Sequence, residues 1–301
     1  MKTSFFSILT ISAGMGLFVP FSHAQENAII AEGASVTLVA SDYSFTEGPA
    51  VDNEGNIYFT DQPNDRIVKW NWADNSVSDY ITPSGRANGL YVDHKGNLLA
   101  CADEKNEIWS ITPDKKITVL LSDVNGKKLN GPNDLWVDLK GGIYFTDPFY
   151  KRNYWDRTEK EIEKEMVYYL SPDLKTLSVV ADDLVRPNGI IGSADGKTLY
   201  VADIGDSKTY AYTIADDSTL THKTLFCEMG SDGMTLDHQG NLYVTGKGVT
   251  VFNKEGQQIA HIPIAQNWTA NVTFGGADQQ TLFITAMNSV YTLKMNVKGI
   301  R

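Results

Sequence analysis

Six times along this chain a short oxygen-bearing side chain leads an apolar run, a Gly or Asp turn and a second strand-like run ending near Thr or Asp. The leading residues are Glu47, Asn88, Asn133, Asn188, Asp232 and Asn271. Three of the segments read EGPAVDNEGNIYFTD (47–61), NDLWVDLKGGIYFTD (133–147) and DGMTLDHQGNLYVTG (232–246), and the six starts lie 41, 45, 55, 44 and 39 residues apart. That period is expected when each repeat is one four-stranded blade of a β-propeller. Within a repeat the alternation continues: RIVKW (66–70) and VSDYI (77–81) follow the first pair of strands, and Pro83-Ser84-Gly85 closes the unit. The sixth repeat has chain for only three strands, whereas SVTLVA (35–40) stands unpaired before the first. An N-terminal strand that completes the last blade would close the ring and remove its exposed edges. The expected fold is all-β, a six-bladed β-propeller with four-stranded blades.

In such a ring the leading residue of every blade points at one axis, so six positions spread along the chain become a cluster. A cluster of Glu, Asp and Asn oxygens suits a hard cation. None of the five histidines has a paired spacing that suggests zinc, and neither a nucleophile elbow nor a glycine-rich phosphate loop occurs.

Residues 1–24 read as a cleaved signal peptide: Lys2, an apolar core FFSILTISAGMGLFVPF, and Ser22-His23-Ala24 as the cleavage site. Its apolar run is broken by Ser, Thr and Gly and falls short of the roughly 20 residues needed to span a bilayer. The remainder, 25–301, carries repeats almost throughout, has no Pro/Ser linker and reads as one propeller domain that is periplasmic or secreted. A formal net charge of −11 supplies no basic footprint for nucleic acid, and no membrane insertion is expected after signal cleavage. Cys101 and Cys227 fall in non-adjacent blades, so two buried free thiols are expected.

One repeat is longer than the rest, with FYKRNYWDRTEKEIEKEM between Pro148 and Val167. Glu and Lys at i,i+3 and i,i+4 spacing predict a helix over 156–166. The aromatics just before it suggest a lid over the channel mouth as the alternative to a solvated surface segment.

Glu47-Gly48-Pro49, Asn130-Gly131-Pro132-Asn133-Asp134, Arg186-Pro187-Asn188-Gly189 and Ser231-Asp232-Gly233-Met234 resemble motifs of the senescence marker protein/gluconolactonase/luciferin-regenerating enzyme family. YFTDP (144–148) and the aromatic segment after it place the resemblance nearer the bacterial lactonase branch. The resemblance implies one divalent cation on the axis, usually Ca2+, with Mg2+, Mn2+ or Zn2+ as alternatives. Glu47, Asn188 and Asp232 would ligate it, and Asn133 would hold either the metal or a substrate beside it. Two carboxylates neutralise a divalent ion, and two amide oxygens add donors without further charge and leave coordination positions for water and substrate. Hydrolysis of a lactone or related ester is the implied reaction, with Asp232 as general base and Asp134 or Asp147 next in line. Substrate contacts are expected from Asn88, Asn133, Asp134, Thr146, Asp147, Tyr150 and Asn271. In the animal branch an Arg precedes the Asn133 equivalent by two residues and a Glu follows it by about 18; here Gly131 and about Lys151 stand there. Phosphotriester hydrolysis at the same site, and a non-catalytic ligand-binding propeller, are the alternatives.

Overall fold

In a computed structural model that describes residues 29–300, the repeats resolve into six sheets of four antiparallel strands. Blade one is built from Thr46–Val51, Ile57–Asp61, Arg66–Asn71 and Ser76–Ile81, running from the axis outward, and blades two to five repeat that order. Blade six takes Asn271–Gly275, Thr281–Ala286 and Ser289–Lys294 from the end of the chain and Thr37–Ala40 from its beginning. Thr37 pairs with Thr292 and Leu38 with Tyr291, so the ring closes through the N-terminal strand as expected. The expected signal peptide and the cleavage site at Ala24 lie outside the described residues.

Each blade is sandwiched between two neighbours, which explains why its second strand is apolar on both faces. In Ile143–Asp147, Ile143 and Phe145 pack with Leu99 and Ile108 of blade two, while Tyr144 packs with Ile190 and Val201 of blade four. The two-residue period of the strand thus divides one sequence run between two cores. Six such clusters, one per interface, form the interior, and outermost strands such as Ser76–Ile81 are half exposed. Cys101 and Cys227 are both free and buried, in blades two and four, as expected.

Residues 156–166 are not helical. Their charges are used elsewhere than along a helix face: the Glu161 carboxylate accepts the Lys128 N–H at 2.9 Å, Lys164 pairs with Asp182, and Glu165 pairs with Arg186. Ile162 turns inward and is buried. Tertiary contacts of these side chains outweigh the few tenths of a kcal/mol that each i,i+4 pair would contribute. Among the described residues no helix is long and apolar enough to cross a membrane.

Candidate active site

The six leading residues stand at or near the start of the innermost strands, and in blades one, two and four the ladder is irregular there. Glu47 pairs with Thr60 and Ala50 with Tyr58, with a register shift between them; the same shift follows Ala87 and Pro187. A bulge bends the strand and turns the leading side chain toward the axis. The glycine after it is dictated by packing. At Gly48, with φ of +44°, a Cβ would lie 2.1 Å from Asn88 O, and at Gly189 it would lie 2.9 Å from Asp232 O. The neighbouring leading residues are therefore backbone to backbone, an approach that only glycine allows. Threonine hydroxyls of the second strands pin this inner ring: Thr60 donates to Asn88 O at 3.0 Å and Thr146 to Asn188 O at 2.7 Å.

Over this end of the inner strands lies a cavity of about 390 Å³, with Glu47, Asn88, Asn133, Tyr150 and Asp232 among its walls. Asp232 accepts Asn188 Nδ2 on Oδ1 at 2.9 Å and Trp268 Nε1 on Oδ2 at 2.8 Å. Asn188 Nδ2 also donates to the Tyr150 hydroxyl at 2.8 Å, while Asn188 Oδ1 is buried with no hydrogen-bond partner. Glu47 Oε2 accepts Gly48 N at 2.7 Å and Asn271 Nδ2 at 3.2 Å. Both carboxylates are removed from water. Burial and then the nearby negative charge of Asp232 push Glu47 well above its usual range. Burial also raises Asp232, opposed by the bonds from Trp268, Asn188 and Glu47 and by the charge of Arg152.

Two interacting buried acids and an unsatisfied amide oxygen fit a cation better than they fit each other, because each of the three is short of positive charge. The residues that could hold one are Glu47, Asn188 and Asp232, with Asn133 beside them. Their donor set is all oxygen, which matches calcium or magnesium and not the nitrogen and sulfur sets of zinc. Among the described residues no group of three or more His, Cys, Asp or Glu is disposed to hold a metal; here two of the donors are amides.

The other sequence candidates are divided among three places. Asp134 and Asn271 line a second cavity, of about 410 Å³, which opens at the far ends of the inner strands with Val51, Val92 and Val137. Asp134 is raised to about 7, chiefly by burial, and accepts the Leu135 N–H at 2.9 Å. Neither Thr146 nor Asp147 lines the cavity over Asp232. Thr146 is fully buried behind Asn188, and the Asp147 carboxylate accepts Asn130 N at 2.9 Å and Gly131 N at 2.8 Å, fixing the turn that presents Asn133. Burial raises Asp147 to about 7 as well.

Three contributors escaped the sequence reading: Trp268, Arg152 and Gln62 also line the cavity over Asp232. All lie outside the repeated segments, in connections that carry no periodic signal. The aromatic enrichment of 149–155 does mark where Arg152 sits.

An oxygen cage at one end of the axis of a six-bladed propeller defines the class. The chain belongs to the SMP-30/gluconolactonase/LRE-like family, whose pattern matches residues 45–288. It is 29% identical to a gluconolactonase of Zymomonas mobilis, over 91% of this chain and 85% of that protein. It is 30% identical to the lactonase drp35 of Staphylococcus epidermidis, over 72% of this chain and 68% of that one. A solved gluconolactonase from Xanthomonas campestris superposes with a TM-score of 0.85 at 31% identity, covering 91% of this chain and 94% of its own.

Proposed function

We propose that this protein is a divalent-cation-dependent lactonase that opens a sugar lactone or related cyclic ester, with calcium as the favoured ion. The observation that carries the reading is the buried pair Glu47 and Asp232, open to the cavity, with the unsatisfied Asn188 Oδ1 between them in chain order and beside Asp232 in space. Relatives that are gluconolactonases and lactonases support lactone hydrolysis. When bound, the cation would supply charge balance for the two acids and Lewis acidity toward a carbonyl oxygen.

The chain's own residues supply the rest. Asp232, oriented through both oxygens by Asn188 and Trp268, takes a proton from the attacking water. Water adds to the lactone carbonyl carbon, the ring C–O bond breaks, and the proton returns to the departing ring oxygen, giving the open hydroxy acid. Asn88 and Asn133, on the cavity wall, offer amides to the substrate's hydroxyl groups. Tyr150, its hydroxyl fixed by Asn188, closes the side of the cavity nearest the long loop. Glu47, whose Oε2 is held by Gly48 N and Asn271 Nδ2, acts as a ligand.

The test is hydrolysis of a panel of sugar lactones, aryl esters and phosphotriesters, with and without chelator. Opening of at least one lactone, abolished by chelator and restored by calcium, is the expected result. Turnover confined to phosphotriesters, or none at all in calcium, would overturn the reading.

A further inference from the structure

In blades one, three and four the aspartate that ends the second strand does one structural job. It accepts the two backbone N–H groups of the segment leading into its own blade: Asp61 from Ser44 and Phe45, Asp147 from Asn130 and Gly131, Asp203 from Val185 and Arg186. Blade two departs from this. Its leading segment is held by Asp65, whose Oδ1 accepts Ser84 N at 2.9 Å and Arg86 N at 2.7 Å. Asp103, at the repeat position, is thereby released, and it turns to the long loop. Its Oδ2 accepts Gln62 Nε2 at 3.0 Å, Arg152 Nε at 2.8 Å and the Tyr154 hydroxyl, and its backbone oxygen accepts Trp155 Nε1 at 2.9 Å.

The seat of the loop is built to receive it. A Cβ on Gly131 would lie 3.0 Å from both the Trp155 ring and Asp103 Oδ1, so a larger residue there would displace the loop. Arg157 stacks on Trp155 at 4.6 Å and Arg86 on Tyr154 at 4.7 Å. The result is a fixed guanidinium at the mouth of the active-site cavity. Only Nε of Arg152 is engaged by Asp103; among the described residues neither Nη donates a hydrogen bond. Arg152 is also the one cationic side chain among the described residues that line this cavity.

A divalent ion would neutralise Glu47 and Asp232, and Asp103 balances Arg152, so what faces the substrate space is the outer edge of a guanidinium and not a net charge. The protein as a whole is acidic, with a formal charge of −11, so this cationic edge is local and not part of a basic surface. Two free Nη groups on a rigid plane match a carboxylate, which takes them in a bidentate pair. We propose that Arg152, positioned by Asp103, selects lactones bearing a carboxylate substituent, such as those of sugar diacids, over neutral sugar lactones. This rests on the lactonase reading.

The test compares the 1,4-lactones of gluconate and glucarate, which differ only in a hydroxymethyl or carboxylate at the far end, by the ratio of their kcat/KM values. The wild-type protein should favour the glucarate lactone. Arg152→Gln should cut the ratio at least about tenfold, mainly through KM, on the scale of a lost charge-assisted hydrogen-bond pair. Arg152→Lys should keep part of it. Calorimetry of the same two lactones binding to calcium-loaded Asp232→Asn repeats the comparison without turnover. If neither lactone is opened, the lactonase reading fails and the calorimetric ratio still decides the role of Arg152. An unchanged ratio in both assays, even with slower turnover, would overturn the proposal and leave Arg152 only a clasp for the loop.

Discussion

The indole of Trp268 donates from Nε1 to Asp232 Oδ2 at 2.8 Å, and this bond helps keep a buried carboxylate ionised. Replacing Trp268 with Phe preserves an aromatic wall and removes the donor. With one stabilising bond gone, the Asp232 carboxyl moves further up, so less of it is in the base form at a given pH. The acid limb of the kcat profile should shift to higher pH in Trp268→Phe. A profile that keeps its position while its height drops would assign Trp268 to packing alone.

Stability should depend on pH and cation together. Folding raises Glu47 and Asp232 above their ordinary values of 4.5 and 3.8, so the cation-free native state binds protons more tightly than the unfolded chain. Groups shifted in that sense stabilise the fold below their unfolded values, and the contribution disappears as pH rises through the raised native ones. Melting temperature in chelator should therefore fall from pH 5 to pH 8. Asp134 and Asp147, each raised to about 7, add to that fall whether or not cation is present. Calcium replaces the proton at the Glu47–Asp232 pair, so the rise it produces should grow with pH. Scanning calorimetry at the two pH values, with chelator and with calcium, measures the difference; a calcium effect largest at pH 5 would contradict this assignment.

Thr146→Val is nearly isosteric and deletes the 2.7 Å bond to Asn188 O. The expected cost is about 1–2 kcal/mol of stability, the scale of a buried carbonyl left without its donor. Because that carbonyl belongs to Asn188, a proposed ligand, calcium affinity should weaken too. Chemical denaturation and a calcium titration check the two effects separately.

Ring closure rests on pairs such as Thr37 with Thr292. Removing residues before 41 would expose the edge of Ser289–Lys294 and uncover Phe59 and Phe283, against whose core Val39 and Ala40 pack. The truncated protein should melt earlier and aggregate, as an unprotected edge strand does. Unchanged light scattering and melting would mean that the ring does not depend on this strand.

Much of the ring is legible in the sequence because in blades one, two, four and five a glycine follows the leading residue, and at Gly48, Gly89 and Gly189 the backbone of the next blade lies too close for a Cβ. The repeat groups all six leading residues, and the family resemblance singles out Glu47, Asn188 and Asp232 among them. Periodicity does not say on which side of the ring a residue one place further along will fall, which is why Asp134 looked like a substrate contact and sits at the opposite cavity. Thr146 and Asp147 share strand positions with residues that brace the blades, and bracing is what the structure has them do. The segment 156–166 has helical composition, yet its charges pair with Lys128, Asp182 and Arg186 across other elements. Trp268 and Arg152 come from unrepeated connections, whose placement depends on tertiary contacts with Asp232 and Asp103.

Turnover of Asp232→Asn at saturating calcium separates an active site from a cation cage most directly. The substitution keeps an oxygen for the metal and removes the capacity to take a proton. If Asp232 is ligand and base together, the folded, calcium-loaded variant should open its lactone about 10²-fold more slowly or worse, the usual loss for a missing general base. Glu47→Gln, altered only as a ligand, should recover much of its activity as calcium is raised. Near-full activity of Asp232→Asn in saturating calcium would contradict the account.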